Sequence, residues 1–161
     1  MNKAYILTGG NTGNRLQHLS DAATAVAREC GPVLEQSSIY QTAAWGNEDQ
    51  PDFLNQVLLI TTMLPPEALL EKLLAIEHRM GRVRHLQNDP RTIDLDILFY
   101  NHLITHTPSL HLPHPRLHLR RFVLVPLNEI APEMEHAVLH KKIRQLLQEC
   151  PDTLNVKKFS L

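Results

Sequence analysis

Residues 91–99 read RTIDLDILF, a run in which apolar residues alternate with two acids before an apolar end. The alternation predicts a β-strand, in which Asp94 and Asp96, two residues apart, face the same way. Neighbouring carboxylates repel each other and lose hydration on burial, and a divalent cation between them removes both costs. The pair predicts an Mg²⁺ site, since Mg²⁺ suits carboxylate oxygens better than Zn²⁺ does; the alternative is a solvated strand face at a sheet edge.

The chain before and around this strand alternates between strand and helix patterns. Strands are predicted at 4–8, 33–41, 53–62 and 93–100. Amphipathic helices are predicted at 15–29 and from Pro65-Pro66 to about 79. The order β-α-β-β-α-β is the ferredoxin-like plan of an α+β protein, an antiparallel sheet with two helices on one face.

The last 60 or so residues predict an extension of this core. It contains a long loop, an apolar stretch at 122–127, a helix near 140–149 and a short final strand at 155–159. The length of 161 residues is typical of one domain, and we expect a single domain over residues 1–161.

Arginines are concentrated around the acidic strand. Seven of the chain's ten lie between positions 79 and 121, a window without lysine: Arg79, Arg82, Arg84, Arg91, Arg116, Arg120 and Arg121. Guanidinium groups bind phosphate oxygens in a bidentate way. A net charge of −1 and an aromatic content of 5% argue against a nucleic-acid partner, so the cluster favours a small phosphorylated ligand.

Composition excludes several other classes. No run of 18 apolar residues is present, so we expect no membrane span. The N-terminus reads as a strand and a glycine turn instead of a signal peptide, and the two cysteines form no CxxC pair, so we expect a cytoplasmic protein. Five histidines lie between positions 102 and 118, but their spacing fits no standard zinc motif.

Six motifs in sequence order resemble the 6-hydroxymethyl-7,8-dihydropterin pyrophosphokinase family of folate biosynthesis. They are Gly9-Gly10-Asn11, residues 50–55 (QPDFLN), Glu77 with Gly81-Arg82-Val83-Arg84, residues 90–97 (PRTIDLDI), Leu112-Pro113-His114 and Arg120-Arg121-Phe122. The family transfers pyrophosphate from ATP to the hydroxymethyl group of a dihydropterin and releases AMP. The resemblance implies a monomeric, cytoplasmic, Mg²⁺-dependent enzyme.

The resemblance also implies roles for the acids and arginines. Asp94 and Asp96 would hold two Mg²⁺ ions, and Asp96 would orient the attacking hydroxyl or accept its proton. Arg82 and Arg91 would stabilise charge on the transferring phosphates, which makes Arg82, Arg91 and Asp96 the catalytic set. Arg84 would help the 82–90 loop close over the site. The implied ATP contacts are Glu77, Arg82, Arg84, Arg91, Ile97, His111, His114 and Arg120.

For the pterin, the resemblance implies a sandwich of the ring between Phe53 and Phe122. Asn55 would offer donor and acceptor groups to the pyrimidine edge. The remaining edge contacts would come from the backbone at Thr42, Ala43, Ala44 and Trp45. Without the resemblance, core packing is the more common role for the two phenylalanines.

The sequence is also compatible with two other functions. One is a different Mg²⁺-dependent phosphotransferase or nucleotidyltransferase that uses the same Asp-x-Asp pair; its products would differ from AMP and a pyrophosphorylated pterin. The other is a non-catalytic ferredoxin-like module that binds a small ligand or RNA, for which an arginine cluster beside an acidic pair has no evident use.

Overall fold

A computed structural model describes residues 1–43, 51–81 and 92–160 of the chain. The strands are β1 (Asn2–Gly10), β2 (Val33–Gln36), β3 (Tyr40–Thr42), β4 (Phe53–Thr62), β5 (Asp94–Tyr100), β6 (Thr105–His106), β7 (His111–Leu112) and β8 (Lys157–Lys158). The α-helices are α1 (Arg15–Glu29), α2 (Pro66–Arg79), α3 (Arg121–Ile130) and α4 (Ile143–Glu149), with a short 3₁₀ turn at Leu117–Leu119.

The main sheet confirms the ferredoxin-like plan. Its strand order is β5-β1-β4-β3-β8, and β2 pairs with β4. Neighbouring strands are antiparallel. Helix α1 joins β1 to β2 across β4, and α2 joins β4 to β5 across β1. Strands β6 and β7 form a separate two-stranded sheet.

The single strand predicted at 33–41 is instead two strands, β2 and β3. The hydroxyl of Ser37 accepts a hydrogen bond from the Val57 amide at 2.9 Å, which interrupts the regular ladder of backbone bonds with β4. The Ser37 amide donates to the Val57 carbonyl, also at 2.9 Å, so the chain stays attached to β4 through the break. The predicted C-terminal strand is shorter than expected and pairs with β3 through Lys157 and Lys158.

Helices cover both faces of the sheet. α1 and α2 bury their apolar sides, including Leu19, Val26 and Leu73, against one face, which confirms the predicted layer. The apolar stretch at 122–127 lies inside α3, which packs with α4 against the other face around Leu7, Val57 and Leu98. In the described parts of the chain, no helix is both long and apolar enough to span a membrane.

Candidate active site

A row of residues crosses three strands on the face that α3 covers. Gly9 of β1 lies opposite Asn55 of β4 on one side and opposite Asp94 of β5 on the other. Because cross-strand partners share a face, all three belong to the same surface. Strands in a sheet lie ~4.8 Å apart, so the backbones at Asn55 and Asp94 are separated by roughly 10 Å across Gly9.

Gly9 forms the floor between these two side chains. A Cβ atom added to Gly9 would lie 2.1 Å from Oδ1 of Asn55 and 3.1 Å from its Cγ. The Asn55 amide therefore lies over the glycine backbone, towards the acidic strand. Asn55 is only 5% exposed, so its amide is held inside the fold.

The acidic pair fits a divalent cation that is shared with a ligand. Asp94 and Asp96 are both half-buried, and Asp96 lies opposite Leu7, next to the apolar core under α3. In the described parts of the chain, no group of three or more His, Cys, Asp or Glu side chains could hold a metal. Mg²⁺ commonly takes one or two carboxylates and completes its coordination with water and phosphate oxygens, so a two-carboxylate site matches Mg²⁺ bound to a polyphosphate.

Glu77 lies on the opposite side of the same strand. It is in the last turn of α2, it is 2% exposed, and its Oε2 accepts a hydrogen bond of 2.6 Å from the amide of Leu95. Leu95 is the residue between the two acids. Glu77 therefore contacts the backbone of the acidic strand directly.

His114 lies beside the outer edge of β5. Its amide donates to the Leu98 carbonyl at 3.0 Å, and its Nδ1 accepts from the Arg116 amide at 3.3 Å. Burial, together with the positive charges of Arg120 and Arg116, lowers the pKa of His114 to about 4. The ring is neutral at pH 7 with Nδ1 as acceptor, so the proton is on Nε2, which can donate to a ligand.

The aromatic residues predicted to hold a ring are both half-buried. Phe53 begins β4, two residues before Asn55 and so on the same face. Phe122 is in the first turn of α3 and packs against the core under that helix. The guanidinium of Arg120 lies 5.6 Å from the centre of the Phe122 ring, which brings a cation beside the predicted ring site.

A hydrogen-bonded cluster fixes α3 above β3. The Tyr40 hydroxyl donates to Glu129 Oε1 at 2.5 Å, and the amide and hydroxyl of Ser38 also donate to this carboxylate. Burial and the nearby Glu129 raise the pKa of Tyr40 to about 12, so the hydroxyl keeps its proton. Since Tyr40 is the cross-strand partner of Asn55, the cluster attaches α3 next to the row of site residues.

The segment that leads into β4 is held by three side chains whose role the sequence reasoning missed or left unspecified. Asn11 donates to the Pro51 carbonyl at 3.1 Å, Arg15 to the Asp52 carbonyl at 2.8 Å, and Gln41 to an Asp52 carboxylate oxygen at 2.7 Å. In the sequence, the motif Gly9-Gly10-Asn11 was the feature that could have indicated the role of Asn11. Of the predicted backbone contacts, Thr42 is buried opposite Phe53 and Ala43 is exposed.

Two predicted nucleoside contacts lie on the β5 side. The Ile97 side chain is 5% exposed and belongs to the core under α1 and α2, so only its backbone is available to a ligand. His111 is exposed in β7, and its Nδ1 lies 3.4 Å from Nδ1 of its cross-strand partner His106. The other predicted site residues, Ala44, Trp45, Arg82, Arg84 and Arg91, lie outside the described residues, as does the 82–90 loop.

Fold and site together define an α+β protein with a carboxylate pair and an amide facing each other across one sheet surface. The profile of the 7,8-dihydro-6-hydroxymethylpterin-pyrophosphokinase (HPPK) family matches residues 5–132. A Bacillus subtilis 2-amino-4-hydroxy-6-hydroxymethyldihydropteridine pyrophosphokinase is 44% identical over 135 residues, which are 83% of this chain and 81% of the relative. The chain belongs to the HPPK family.

Longer proteins contain a similar segment. The folic acid synthesis protein fol1 of Pneumocystis carinii is 39% identical over 148 residues, 92% of this chain but 20% of that protein. The chain spans between a fifth and a quarter of the first two curated relatives. A crystal structure of a Plasmodium falciparum HPPK-DHPS triple mutant with pteroate superposes with a TM-score of 0.76 at 19% identity, covering 92% of this chain and 43% of that chain, and supports the fold alone.

Proposed function

We propose that the chain transfers pyrophosphate from ATP to the hydroxymethyl group of 6-hydroxymethyl-7,8-dihydropterin, giving the pterin diphosphate and AMP in folate biosynthesis. The observation that carries the proposal is the row of Asn55, Gly9 and Asp94, which sets an amide opposite a carboxylate pair on one sheet face. Membership of the HPPK family supports the same reaction.

Asp94 and Asp96 are the proposed ligands of two Mg²⁺ ions. When bound, Mg²⁺ would neutralise phosphate charge and favour deprotonation of the pterin hydroxyl. Asp96, next to the apolar core, is the better placed of the two to orient that hydroxyl or accept its proton. Its cross-strand partner Leu7 belongs to the apolar core under α3, which limits water on that side of the carboxylate and strengthens electrostatic interactions there.

The phosphate side of the proposed site is cationic. His114 offers a neutral Nε2–H donor, and Arg120 adds a permanent positive charge near it. Arg82 and Arg91 are the proposed stabilisers of charge that develops during transfer, and Arg84 the residue that closes the loop. Nucleoside contacts are proposed for His111 and for the backbone at Ile97.

The pterin side uses flat and amide-bearing groups. Phe53 and Phe122 would stack on the ring, a contact worth about 1 kcal/mol each beyond area burial. Asn55 would pair with the pyrimidine edge through its carbonyl and its NH₂ group, and the backbone at residues 42–45 would complete the edge. We also propose that residues 1–161 act as one cytoplasmic, monomeric domain without a nucleic-acid partner.

The test is release of AMP. Purified protein is mixed with ATP, Mg²⁺ and 6-hydroxymethyl-7,8-dihydropterin, and the pterin and the metal are each omitted in turn. We expect AMP only in the complete mixture, with one pterin diphosphate formed for each AMP. Formation of ADP or free pyrophosphate instead would favour a different phosphotransferase or nucleotidyltransferase, and no turnover by folded protein would contradict the proposal.

Asp96→Asn tests the metal assignment in the same assay. The amide keeps the size of the side chain but removes its charge, so we expect kcat to fall by roughly a hundredfold or more, as for other losses of transition-state stabilisation. Asp21→Asn, an exposed change on α1, is the matched control and should leave kcat unchanged. A kcat for Asp96→Asn within about threefold of the parent would refute the role, since that is under 1 kcal/mol.

A further inference from the structure

Glu77 is a carboxylate in an unfavourable place. It is 2% exposed, and it lies in the last turn of α2, where the helix dipole disfavours a negative charge. Burial of a charged group also costs free energy unless hydrogen bonds replace its hydration. A residue kept in such a position needs a specific partner, and the Leu95 amide, 2.6 Å from Oε2, is one.

The backbone at Leu95 can affect the direction of both carboxylates. It lies between Asp94 and Asp96, and its own side chain is 2% exposed in the core under α1 and α2. In an antiparallel strand, successive residues direct their backbone groups alternately to the two sides. Among the strands that the structure describes, β5 is the end strand of the main sheet and pairs with β1 alone. Since the Leu95 amide donates to Glu77 of α2, it points away from β1, and Glu77 takes the place of a neighbouring strand.

We propose that Glu77 is a positioning residue that fixes the backbone between the two acids and so sets the direction of both carboxylates. This inference rests on the proposed function for the use of the carboxylates, and it assigns Glu77 a role other than the nucleoside contact that the family resemblance implies. Octahedral Mg²⁺ tolerates little error in ligand position, so a small rotation of the strand at Leu95 would weaken a site that contains Asp94 and Asp96. The low exposure of Glu77 favours a backbone contact over a contact with a nucleoside.

Two variants of different chemistry separate the possibilities. Glu77→Gln keeps an oxygen that can accept from the Leu95 amide, whereas Glu77→Met has a similar length and no strong acceptor. Glu71→Met, an exposed change on the same helix, is the matched control. Amide hydrogen exchange at Leu95 is measured by NMR without substrates, and the Mg²⁺ concentration for half-maximal AMP release is measured at saturating ATP and pterin.

We expect Glu77→Met to speed exchange at Leu95 about tenfold or more and to raise the half-maximal Mg²⁺ concentration several-fold, while Glu77→Gln and Glu71→Met stay within about twofold of the parent. The inference is overturned if Glu77→Met leaves Leu95 exchange unchanged, if Glu77→Gln fails as badly as Glu77→Met, or if only the KM for ATP rises. The last result would restore the nucleoside role.

The exchange measurement also separates this inference from the proposed function. Parent protein that makes no AMP would contradict the proposed reaction, whatever happens at Leu95. Faster exchange in Glu77→Met alone would still support the backbone contact in that case, and unchanged exchange would overturn it.

Discussion

At the scale of single residues, Gly9 determines where the Asn55 amide lies. The space that a side chain at position 9 would fill is already occupied by Oδ1 of Asn55. A glycine in the middle of a strand costs stability because it packs nothing and loses more conformational entropy on folding. Its presence in β1 is therefore explained by the close approach of Asn55.

Gly9→Ala should displace the Asn55 amide and weaken pterin binding. The loss of one oriented hydrogen-bonding group is worth about 1–2 kcal/mol, so we expect the KM for the pterin to rise by roughly tenfold with a smaller effect on the KM for ATP. Asn55→Ala should have a similar effect, and the double variant should be little worse than either single variant. Additive effects, or a normal pterin KM in folded Gly9→Ala, would contradict this account.

At the scale of elements, the attachment of α3 to β3 depends on one carboxylate. Glu129 accepts from the hydroxyl and amide of Ser38 and from the hydroxyl of Tyr40. These bonds join a strand beside Asn55 to the helix that has Phe122 in its first turn. We therefore expect the stability of the fold and the geometry of the proposed ring site to be coupled through this contact.

Tyr40→Phe tests that coupling with the loss of a single oxygen atom. Hydrogen bonds to charged groups contribute about 1.5–3 kcal/mol, so the free energy of unfolding in urea should fall by roughly that amount. We also expect a modest rise in the KM for the pterin, because α3 would be less firmly fixed. Tyr5→Phe, on the same sheet face in β1, is the comparison variant; equal losses in both would argue against a special role for the Glu129 contact.

The elements also show what sequence patterns can and cannot predict. The bounds of α1, β4 and α2 follow closely from periodicity, proline and glycine positions, because these elements each bury one continuous face. The break between β2 and β3 was not predictable, since it depends on a hydroxyl of Ser37 that meets a strand 20 residues away. A proline at position 126 concealed the helical character of α3, which is stabilised by its packing on the sheet.

At the scale of the whole molecule, the sequence predicted one helical layer and the fold has two. Alternation and amphipathic patterns identify the face covered by α1 and α2, but the second layer comes from a loop-rich extension with weaker patterns. For the candidate site, the resemblance to family motifs predicted which residues take part. The two-residue alternation of side chains in a strand predicted that Asp94 and Asp96 share a face. The row that joins Asp94 to Asn55 could not be predicted from the sequence, because it depends on the register of β1 with both β4 and β5.

Acid should destabilise the whole molecule partly through His114. Its folded pKa of about 4 lies below the ordinary value of 6.5, so between these pH values the unfolded chain binds a proton that the folded chain does not. Stability from this group is complete above pH 6.5 and is lost as the pH falls towards 4. We expect the free energy of unfolding to decline across this window, and to decline less steeply in His114→Asn.

The Asn substitution keeps an acceptor near the position of Nδ1 for the Arg116 amide and removes the titrating ring. His102→Asn, an exposed change in the turn after β5, serves as the control. Urea denaturation at several pH values between 4 and 7.5 gives the slopes. Identical slopes for the parent and His114→Asn would show that other groups account for the acid sensitivity.

The end position of β5 in the main sheet has a consequence for self-association. Exposed edge strands are templates on which a second copy can extend the sheet and begin to aggregate. Here the Leu95 amide is already bonded to Glu77 and the Leu98 carbonyl to the His114 amide, and two acids add charge to the same strand. The groups that shape the candidate site therefore also protect the protein from edge-to-edge polymerisation. We expect variants that remove these hydrogen bonds or charges to aggregate more readily than the parent.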